Sequence, residues 1–356
     1  MLEIIQKIRD NPFAVFVGRK VVFLVIALFV AMTLLFVFTH LMPSNPAEIM
    51  ASRVGGIGGI GLSGPMNPGE GASKYEILRR WYAVKFGVNE PLLDKYVLFW
   101  KRFLTMEYGY SFKFYPHSVA RLVSYKLPWT MALVLPVIPV GFVIGNWIGS
   151  RAAYYRGKFD RALYYISMYL WRAPFFWFAL VLVLVFSVWL GWFPTSGAFA
   201  KGYIGPEFSL GWFQSALHHW VLPFLSLFGL GVGGWAVGMR AMTVYEMESD
   251  YMHYSEQLGF SKSKLRNYAE RNAILPNFTW IPMTLNMLIG QTLIVEYVFD
   301  YPGLGRLFYA AVYNQDYPLL QACFVVTLLV VLVGNFVADI VYGKLDPRIA
   351  SGYVGE

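Results

Sequence analysis

Six long stretches without Asp, Glu, Lys or Arg constrain this chain more than any other feature of its sequence. They cover residues 21–40, 128–150, 173–191, 220–239, 277–295 and 317–338. An α-helix needs about 20 apolar residues to cross the hydrocarbon of a bilayer. A soluble protein can bury one such helix but not six, and only 14% of the residues are charged, whereas about a quarter are charged in a soluble domain. We therefore predict an all-α polytopic membrane protein with six transmembrane helices.

The first stretch has one alternative interpretation, a secretory signal peptide. Its apolar part is longer than the usual hydrophobic region of such a signal, and His40-Leu41-Met42-Pro43 follows it where a cleavage site would need small residues. We interpret residues 21–40 as a retained first transmembrane helix.

The short loops between the stretches indicate the orientation of the chain. Basic residues cluster before the first stretch and in the loops after the second and the fourth, whereas the opposing short loops carry only Lys201 and Arg306. Because short cytoplasmic loops are enriched in Lys and Arg, both termini are predicted to be cytoplasmic. The predicted division is a cytoplasmic N-terminus at 1–20, an extracytoplasmic segment at 41–127, five further spans within 128–342 with a cytoplasmic loop at 240–276, and a cytoplasmic tail at 343–356.

The cytoplasmic loop is predicted to begin with a short helix. Ser249 is suited to cap the helix, and Asp250 places a negative charge in its first turn. Gly259 is predicted to end the helix in a left-handed conformation. Three residues at helical spacing share one face, namely Tyr251, Ser255 and Leu258.

A return helix is predicted to follow the turn. Ser261 can cap it, and the helix is expected to run to about Leu275, where Pro276 breaks it. A helical loop of this size without catalytic residues is suited to docking a partner. A passive basic connector is the alternative.

The segment 41–127 contains a glycine-rich part, 55–71, which is predicted to be a flexible loop. Its string Gly59-Ile60-Gly61-Leu62-Ser63-Gly64 matches a dinucleotide fingerprint, but no strand precedes it and Pro65 and Pro68 prevent a helix from following. We therefore assign no nucleotide site there. The remaining part, 74–126, is predicted to form short helices near the outer leaflet.

The sequence lacks the motifs of common cofactor and catalytic sites. It has neither the phosphate-binding Gly-x-x-x-x-Gly-Lys-Ser/Thr loop nor the zinc-binding His-Glu-x-x-His motif. Adjacent His218 and His219 would point about 100° apart on a helix, which disfavours a shared metal. The net charge of +8 is expected to reflect orientation and anionic lipid and not nucleic acid. We therefore expect a non-enzymatic chain with no metal and no cofactor of its own.

The apolar stretches also lack interior carboxylates. Ion-coupled carriers usually need such groups near the membrane midplane, so a stand-alone secondary transporter or channel is the alternative function. Glu296 and Asp339 lie at the ends of stretches. Glu296 is expected either to pair across a subunit contact or to lie at the water interface.

Polar residues in the fifth stretch suggest a pathway through the membrane. Thr284, Met287 and Gln291 fall on a similar face of the predicted helix, whereas Asn286 lies nearly opposite Thr284. Polar groups in lipid need partners. The first three residues are candidates to line a pathway, and hydrogen bonding between helices is the alternative.

Two motifs in the cytoplasmic loop resemble the signature of binding-protein-dependent ABC transporter permeases. They are Asp250-Tyr251 followed by Ser255-Glu256-Gln257-Leu258-Gly259, and Arg271-Asn272-Ala273-Ile274-Leu275-Pro276. The spacing between Gly259 and Pro276 is similar to that of the oligopeptide, dipeptide and nickel branch. Further stretches resemble the first of the two permeases of that branch: 41–47, 86–92, Tyr108-Gly109-Tyr110-Ser111, Glu296, 302–306, Asp316-Tyr317-Pro318 and Leu345-Asp346-Pro347-Arg348.

The resemblance implies a multi-pass subunit of the cell membrane with the architecture of a type I ABC importer permease. Its partners would be a second homologous permease, two ATP-binding subunits that hold ATP and Mg, an extracytoplasmic solute-binding protein and the lipid bilayer. The cargo would be peptides, oligosaccharides or nickel. The residues that would couple to the ATPase are Asp250, Tyr251, Ser255, Glu256, Gln257, Leu258, Gly259, Arg271, Asn272 and Pro276.

Overall fold

The computed structural model describes residues 12–41, 48, 51, 76–77, 79–81, 90–203, 205–207 and 209–345 of the 356. The predicted glycine-rich loop at 55–71, the motif at 42–47, most of the motif at 86–92 and the tail from residue 346 lie outside the described residues.

Regular structure in the described residues is helical, apart from one isolated antiparallel bridge between Tyr110 and Ser118. The helices are α1 (Pro12–Leu41), α2 (Leu92–Thr105), α3 (Val119–Tyr155), α4 (Gly157–Arg172), α5 (Phe175–Leu182), a π-helix (Val183–Trp189), α6 (Leu210–Met247), α7 (Asp250–Gln257), α8 (Lys262–Phe278), α9 (Ile281–Val298), α10 (Leu304–Tyr313) and α11 (Tyr317–Leu345).

Five of these helices are long and apolar enough to cross a membrane, namely α1, α3, α6, α9 and α11. The count rises to six if α4 and the segment after it, which are bent by 107°, form one span. The all-α prediction is thus confirmed for the described residues. Helices α3 and α6, with 37 and 38 residues, extend well beyond the uncharged stretches from which they were predicted.

The sequence predicts the third span as one uniform helix, and the structure differs from that prediction. The eight residues of α5 are followed by seven residues of π-helix, and the chain turns at Ala173 and Pro174 before α5 begins. Ala173 is extended, with ψ of 138°, because the ring of the following proline disfavours the helical conformation.

The chain divides into two compact units. The larger unit comprises Met1–Leu24, Leu127–Arg306 and Val330–Glu356, and the smaller unit comprises Val25–Lys126 and Leu307–Leu329. In the larger unit, α6 packs against α4, α5, α8 and α9. Its core is an apolar cluster that includes Leu133, Val137, Ala179, Leu222, Leu227, Leu288, Val295, Phe299 and Tyr301.

Glycines bring α3 and α6 close together in the larger unit. A Cβ at Gly145 would lie 2.4 Å from the Cβ of Trp235, and a Cβ at Gly149 would lie 2.3 Å from the carbonyl oxygen of Ala236. Small residues of this kind allow close packing between helices in lipid, where no hydrophobic effect drives helices together.

The smaller unit contains α2, which confirms one of the short helices predicted between residues 74 and 126. Its Tyr96 shares a hydrogen bond of 2.7 Å with Thr33 of α1, and its Trp100 stacks on Phe29 at 5.5 Å between ring centroids. These contacts hold α2 along the apolar surface of α1 within this unit.

Candidate functional site

The predicted helix–turn–helix in the loop 240–276 is present as α7, a turn at Gly259, and α8. Gly259 has a φ of +78° and donates its N–H to the carbonyl of Glu256, while Phe260 donates to the carbonyl of Ser255. These two bonds form a Schellman motif, which satisfies the last carbonyls of α7. The left-handed conformation predicted for Gly259 is confirmed.

Of the two predicted helix caps, at Ser249 and Ser261, the structure contains one. The hydroxyl oxygen of Ser261 accepts a hydrogen bond from the N–H of Lys264, so it caps α8 as predicted. Ser249 does not cap α7, because its hydroxyl donates instead to the carbonyl of Glu246, three residues back. Serine hydroxyls bond to nearby backbone in several ways, and the sequence does not distinguish among them.

The prediction that Pro276 breaks the return helix is wrong. Helix α8 continues through Pro276 to Phe278, and the break lies at Thr279 and Trp280, before α9 begins. A proline lacks only its own N–H and crowds the carbonyl four residues earlier, so a helix can bend at proline and continue for part of a turn. The break instead coincides with Pro282, in the first turn of α9.

One side of α7 packs against the chain itself. Met252 forms a buried cluster with Leu265 and Ala269 of α8, and Phe260 packs against that cluster. Ser255 is also buried, with 8% of its surface exposed, whereas Leu258 is 56% exposed. The predicted face of Tyr251, Ser255 and Leu258 therefore has no common environment, because it straddles the boundary between the packed and the open side.

A hydrogen-bonded chain of side chains connects three helices. The hydroxyl of Tyr251 donates to the carboxylate of Glu246 at 2.6 Å, and the amide of Asn272 donates to that hydroxyl at 3.0 Å. Partial burial, and then the bond to Glu246, raise the pKa of Tyr251 above its usual value. The structure thus joins Tyr251 directly to Asn272, both of them predicted site residues, and joins Tyr251 also to Glu246, which the sequence did not single out.

Helix α8 is anchored to α3 at several points. The hydroxyl of Tyr154 donates to the carbonyl of Lys262 at 2.9 Å, and the hydroxyl of Ser150 donates to Glu270 at 3.1 Å. A buried bond of 2.6 Å joins the amide of Asn277 to that of Asn146. The sequence interpretation missed this last pair, although two asparagines in uncharged stretches were a usable signal, since buried amides need partners.

The other side of α7 is open. Tyr254 is 64% exposed, and it forms an exposed α7 face together with Asp250, Gln257 and Leu258, which lie at helical spacing. Six further predicted site residues are also exposed, namely Tyr251, Glu256, Gly259, Arg271, Asn272 and Pro276. Tyr254 was not among the predicted residues, although it fills the same helical stripe.

Helix α4 is fixed to α6 by an ion pair that the sequence interpretation also missed. Nε of Arg240 donates a hydrogen bond to Oδ1 of Asp160, and Nη2 donates a second one to Oδ2 at 2.7 Å. Asp160 is buried, and this two-point geometry is the strongest that arginine and carboxylate form.

A cavity of about 360 Å³ lies inside the larger unit, between α3, α6 and α9. It reaches both interruptions of the helices, at Ala173 and at Trp280. Three predicted residues line it together, namely Thr284, Met287 and Gln291. Asn286 lies elsewhere and receives a bond of 3.4 Å from Asn335 of α11, in line with its predicted position on another face.

The carboxylate of Glu296 is fully buried, so the interpretation of this residue as an acid at the water interface is wrong. It accepts hydrogen bonds of 2.6 Å from the hydroxyl of Thr130 and from the N–H of Gly305. Thr130 in turn accepts a bond of 2.8 Å from the N–H of Leu304. The segment after α9 folds back over Glu296 and supplies Leu304 and Gly305, while α3 of the same chain supplies Thr130.

Two other motifs quoted for the resemblance meet in the smaller unit. Asp316 is fully buried and accepts hydrogen bonds from the hydroxyl of Ser111 and from the N–H of Lys113, the latter at 2.9 Å. It also accepts from the N–H of Leu319 and so caps α11. These hydrogen bonds join residues of the same unit and therefore stabilise its loops.

Comparison with known proteins agrees with the resemblance. The family described as the binding-protein-dependent transport system inner membrane component matches residues 137–351, more than half of the chain. The chain is 31% identical to the oligopeptide transport system permease protein AppB of Bacillus subtilis, over 76% of this chain and 84% of that protein. It is 30% identical to the oligopeptide permease OppB of Haemophilus influenzae, over 74% and 83%.

A third relative extends the match along the sequence. The glutathione transport system permease protein GsiC of Escherichia coli is 27% identical over 94% of this chain and 98% of that protein. The prediction of a transmembrane permease is therefore confirmed, with a type I importer fold. The chain belongs to the family of inner membrane components of binding-protein-dependent transport systems, as a permease of the ABC importers in its peptide branch.

Proposed function

We propose that this chain pairs with a second homologous permease to form the pathway for peptides that a solute-binding protein delivers. Two ATP-binding subunits hold the ATP and Mg, and one of them docks on the exposed α7 face, from the cytoplasmic side. The chain itself neither binds nor hydrolyses ATP. Its part is to convert the movement of those subunits into opening and closing of the pathway.

The observation that carries this proposal is the contrast between the two sides of α7. Tyr254 and Leu258 project largely exposed from a helix whose other side is packed against α8 and α6. Exposed aromatic and apolar side chains on a short, firmly held helix are typical of a helix that docks in a groove of a partner. The anchors from α8 to α3 provide a path for movement of α7 to reach the membrane helices.

An exposed stripe on α9 supports the pairing with a second permease. Met283, Met287 and Ile294 lie at helical spacing, and each is exposed by more than 40% within this chain. The cavity opens beside the first two of these residues. A second permease placed against this stripe would complete the wall of a pathway.

Peptides are the proposed cargo because of the named relatives, two of which are oligopeptide permeases and one a glutathione permease. Oligosaccharides are the second candidate cargo. Identification of the ligand that co-purifies with the cognate solute-binding protein distinguishes the two.

The docking proposal is tested by co-purification of the ATP-binding subunits with the permease complex. Leu258→Glu and Tyr254→Ala should release these subunits, while leaving the yield of permease in the membrane unchanged. Tyr313→Ala is the matched control, since Tyr313 is 77% exposed, more than Tyr254, but belongs to the part of α10 in the smaller unit. Full retention of the ATP-binding subunits by both α7 variants would contradict the proposal.

The alternative of a stand-alone carrier has its own test. The purified chain alone, in proteoliposomes, should import no peptide with an ion gradient and should show no ATP turnover. Uptake driven by a gradient without the other subunits would favour the secondary transporter.

A further inference from the structure

The cavity of the larger unit has an uncharged lining. Its polar lining residues are the neutral Asn277, Thr284 and Gln291, and three indole rings contribute to it, those of Trp171, Trp235 and Trp280. None of the described residues that line it is Asp, Glu, Lys or Arg. A charged group entering this cavity would therefore lose water without gaining an opposite charge.

The ionic groups beside the lining on α4 and α6 have partners. Arg172, between the lining residues Trp171 and Ala173, holds its guanidinium 4.7 Å from the ring centre of Trp171. Arg240 of α6 and Asp160 of α4 bond to each other through two contacts. A pair with this geometry is closely neutralised and has little capacity left for a third charge. The described lining residues thus carry no charge themselves, and Arg172 is a cation that lies beside them.

The cavity has a closed floor and an open side. Leu227, Leu288 and Trp235 are buried, whereas Trp280 and Met287 are 51% and 54% exposed. The volume of about 360 Å³ lies near the lower limit for small-molecule sites, which span about 300–1,000 Å³. Such a cavity accommodates a side chain and the adjoining backbone of a peptide, and not a long folded segment.

Two polar groups are placed to bond an extended backbone. The hydroxyl of Thr284 donates to the carbonyl of Trp280, which leaves its oxygen able to accept. The amide of Gln291 can both donate and accept. Because these residues are seven apart on α9, they are separated by about 10.5 Å along the helix axis, close to the length of three residues of extended peptide.

We propose that this cavity is a specificity subsite of the permease, an inference that rests on the proposed function. It accepts an uncharged, apolar or aromatic side chain of a short peptide between Trp280 and Met287, while Thr284 and Gln291 bond the backbone amides. A peptide with a charged side chain at that position passes more slowly. The permease thereby adds its own selection to that of the solute-binding protein.

The test uses the complete complex in proteoliposomes, with the tripeptides Ala-Phe-Ala, Ala-Lys-Ala and Ala-Glu-Ala and a saturating amount of the solute-binding protein. Met287→Glu should raise the import rate of the Lys peptide relative to the Phe peptide at least about tenfold, since a single ion pair in a partly desolvated site has this strength. Met287→Lys should do the same for the Glu peptide. Met287→Gln, of similar size but uncharged, is the matched control and should keep the wild-type ratios.

The solute-binding protein is common to all variants, so a change in the ratio between peptides reports the permease. Trp280→Ala provides an uncharged test and should abolish the advantage of Ala-Phe-Ala over trialanine. If the charged variants do not assemble with the other subunits, Trp280→Ala still tests the proposal.

Each outcome separates the two proposals. If the wild-type complex imports none of these peptides under ATP, the proposed function fails and the subsite fails with it. If it imports them, but the Met287 and Trp280 variants change all rates by one common factor, only the subsite is wrong. A lipid chain or a side chain of the second permease then fills the cavity.

Discussion

The α7–α8 loop and the segment that folds over Glu296 both carry motifs of the family, yet they use their polar groups in opposite ways. On α7, Tyr254 and Leu258 remain exposed, and the hydrogen bonds of Tyr251 lie at the margin of the packed region. Around Glu296, the carboxylate is fully buried and bonds to the same chain. One motif therefore leaves side chains open to solvent while the other holds the fold together, and exposure of the side chains distinguishes the two.

The largest effect is expected from a labelling experiment with an all-or-none outcome, which tests on which side of the membrane two parts of the chain lie. In a Cys323→Ser background, a cysteine at Ser263 in the α7–α8 loop should react with an impermeant reagent only from the inside. A cysteine at Lys201, in the loop before α6, should react only from the outside. Labelling of intact cells and of inverted vesicles measures this, and the opposite pattern would contradict the predicted orientation.

The next largest effect is expected at Glu296. Glu296→Leu leaves the N–H of Gly305 and the hydroxyl of Thr130 without their buried acceptor, and each such loss costs about 1–3 kcal/mol. The thermal midpoint of the detergent-solubilised chain should fall by several degrees, measured by size-exclusion chromatography with fluorescence detection.

Asp300→Asn is the matched control in the same segment. Asp300 forms an ion pair with Arg306 at 2.9 Å, and both side chains are about half exposed. Exposed pairs contribute about 0–1 kcal/mol, so the midpoint should barely change. Equal losses in the two variants would remove the distinction between a buried anchor and a surface pair.

A smaller change in stability but a clear change in coupling is expected at Gly259. A Cβ there would meet no atom within 4 Å, so the cost of Gly259→Val is assigned to the backbone at φ +78° and is about 1–2 kcal/mol. The turn should distort and displace α7, so that ATP hydrolysis loses its stimulation by cargo while the permease still inserts. Gly259→Asn, which tolerates this conformation better, should keep more of the stimulation.

A passive basic connector predicts a different result for the same loop. It predicts normal stimulation in Gly259→Val and a loss when Lys262, Lys264 and Arg266 are all replaced by Ala. Measurement of both variants in one reconstituted complex distinguishes the two interpretations.

The smallest effect is expected from Tyr251→Phe, which removes the hydroxyl between Glu246 and Asn272. The loss should be about 1 kcal/mol or less, because Tyr251 is partly exposed, and should increase hydrogen exchange in α7 without unfolding the membrane helices. Unchanged exchange in α7 would show that this link does not hold the helix.

The same hydroxyl gives a pH dependence with a definite sign. The pKa of Tyr251 is raised in the folded chain, so the contribution is complete below the unfolded value of about 10 and is lost as the pH rises through the folded pKa. Protection of α7 in the wild type should therefore fall in alkaline buffer, and Tyr251→Phe should not show that component.

Local patterns predicted the elements that depend on near neighbours in sequence. Uncharged stretches predicted the long helices, Gly259 predicted the left-handed turn, and Ser261 predicted the cap of α8. The failures at Ser249 and Pro276 are also local, since a serine hydroxyl can bond to more than one nearby backbone group and a helix can either end or bend at a proline.

The sequence by itself determined the membrane class, the positions of most helices and the family, because hydrophobic length, helix-ending residues and short motifs act through adjacent residues. Only the tertiary structure decided which polar groups are paired. Asn146 and Asn277 are separated by 131 positions and Thr130 and Glu296 by 166, and no local pattern encodes such a meeting. The same holds for the cavity, since its lining comes from helices that packing alone brings together. Burial in lipid removes water as a partner, so these distant pairings, and not the sequence motifs, determine which side chains remain open for function.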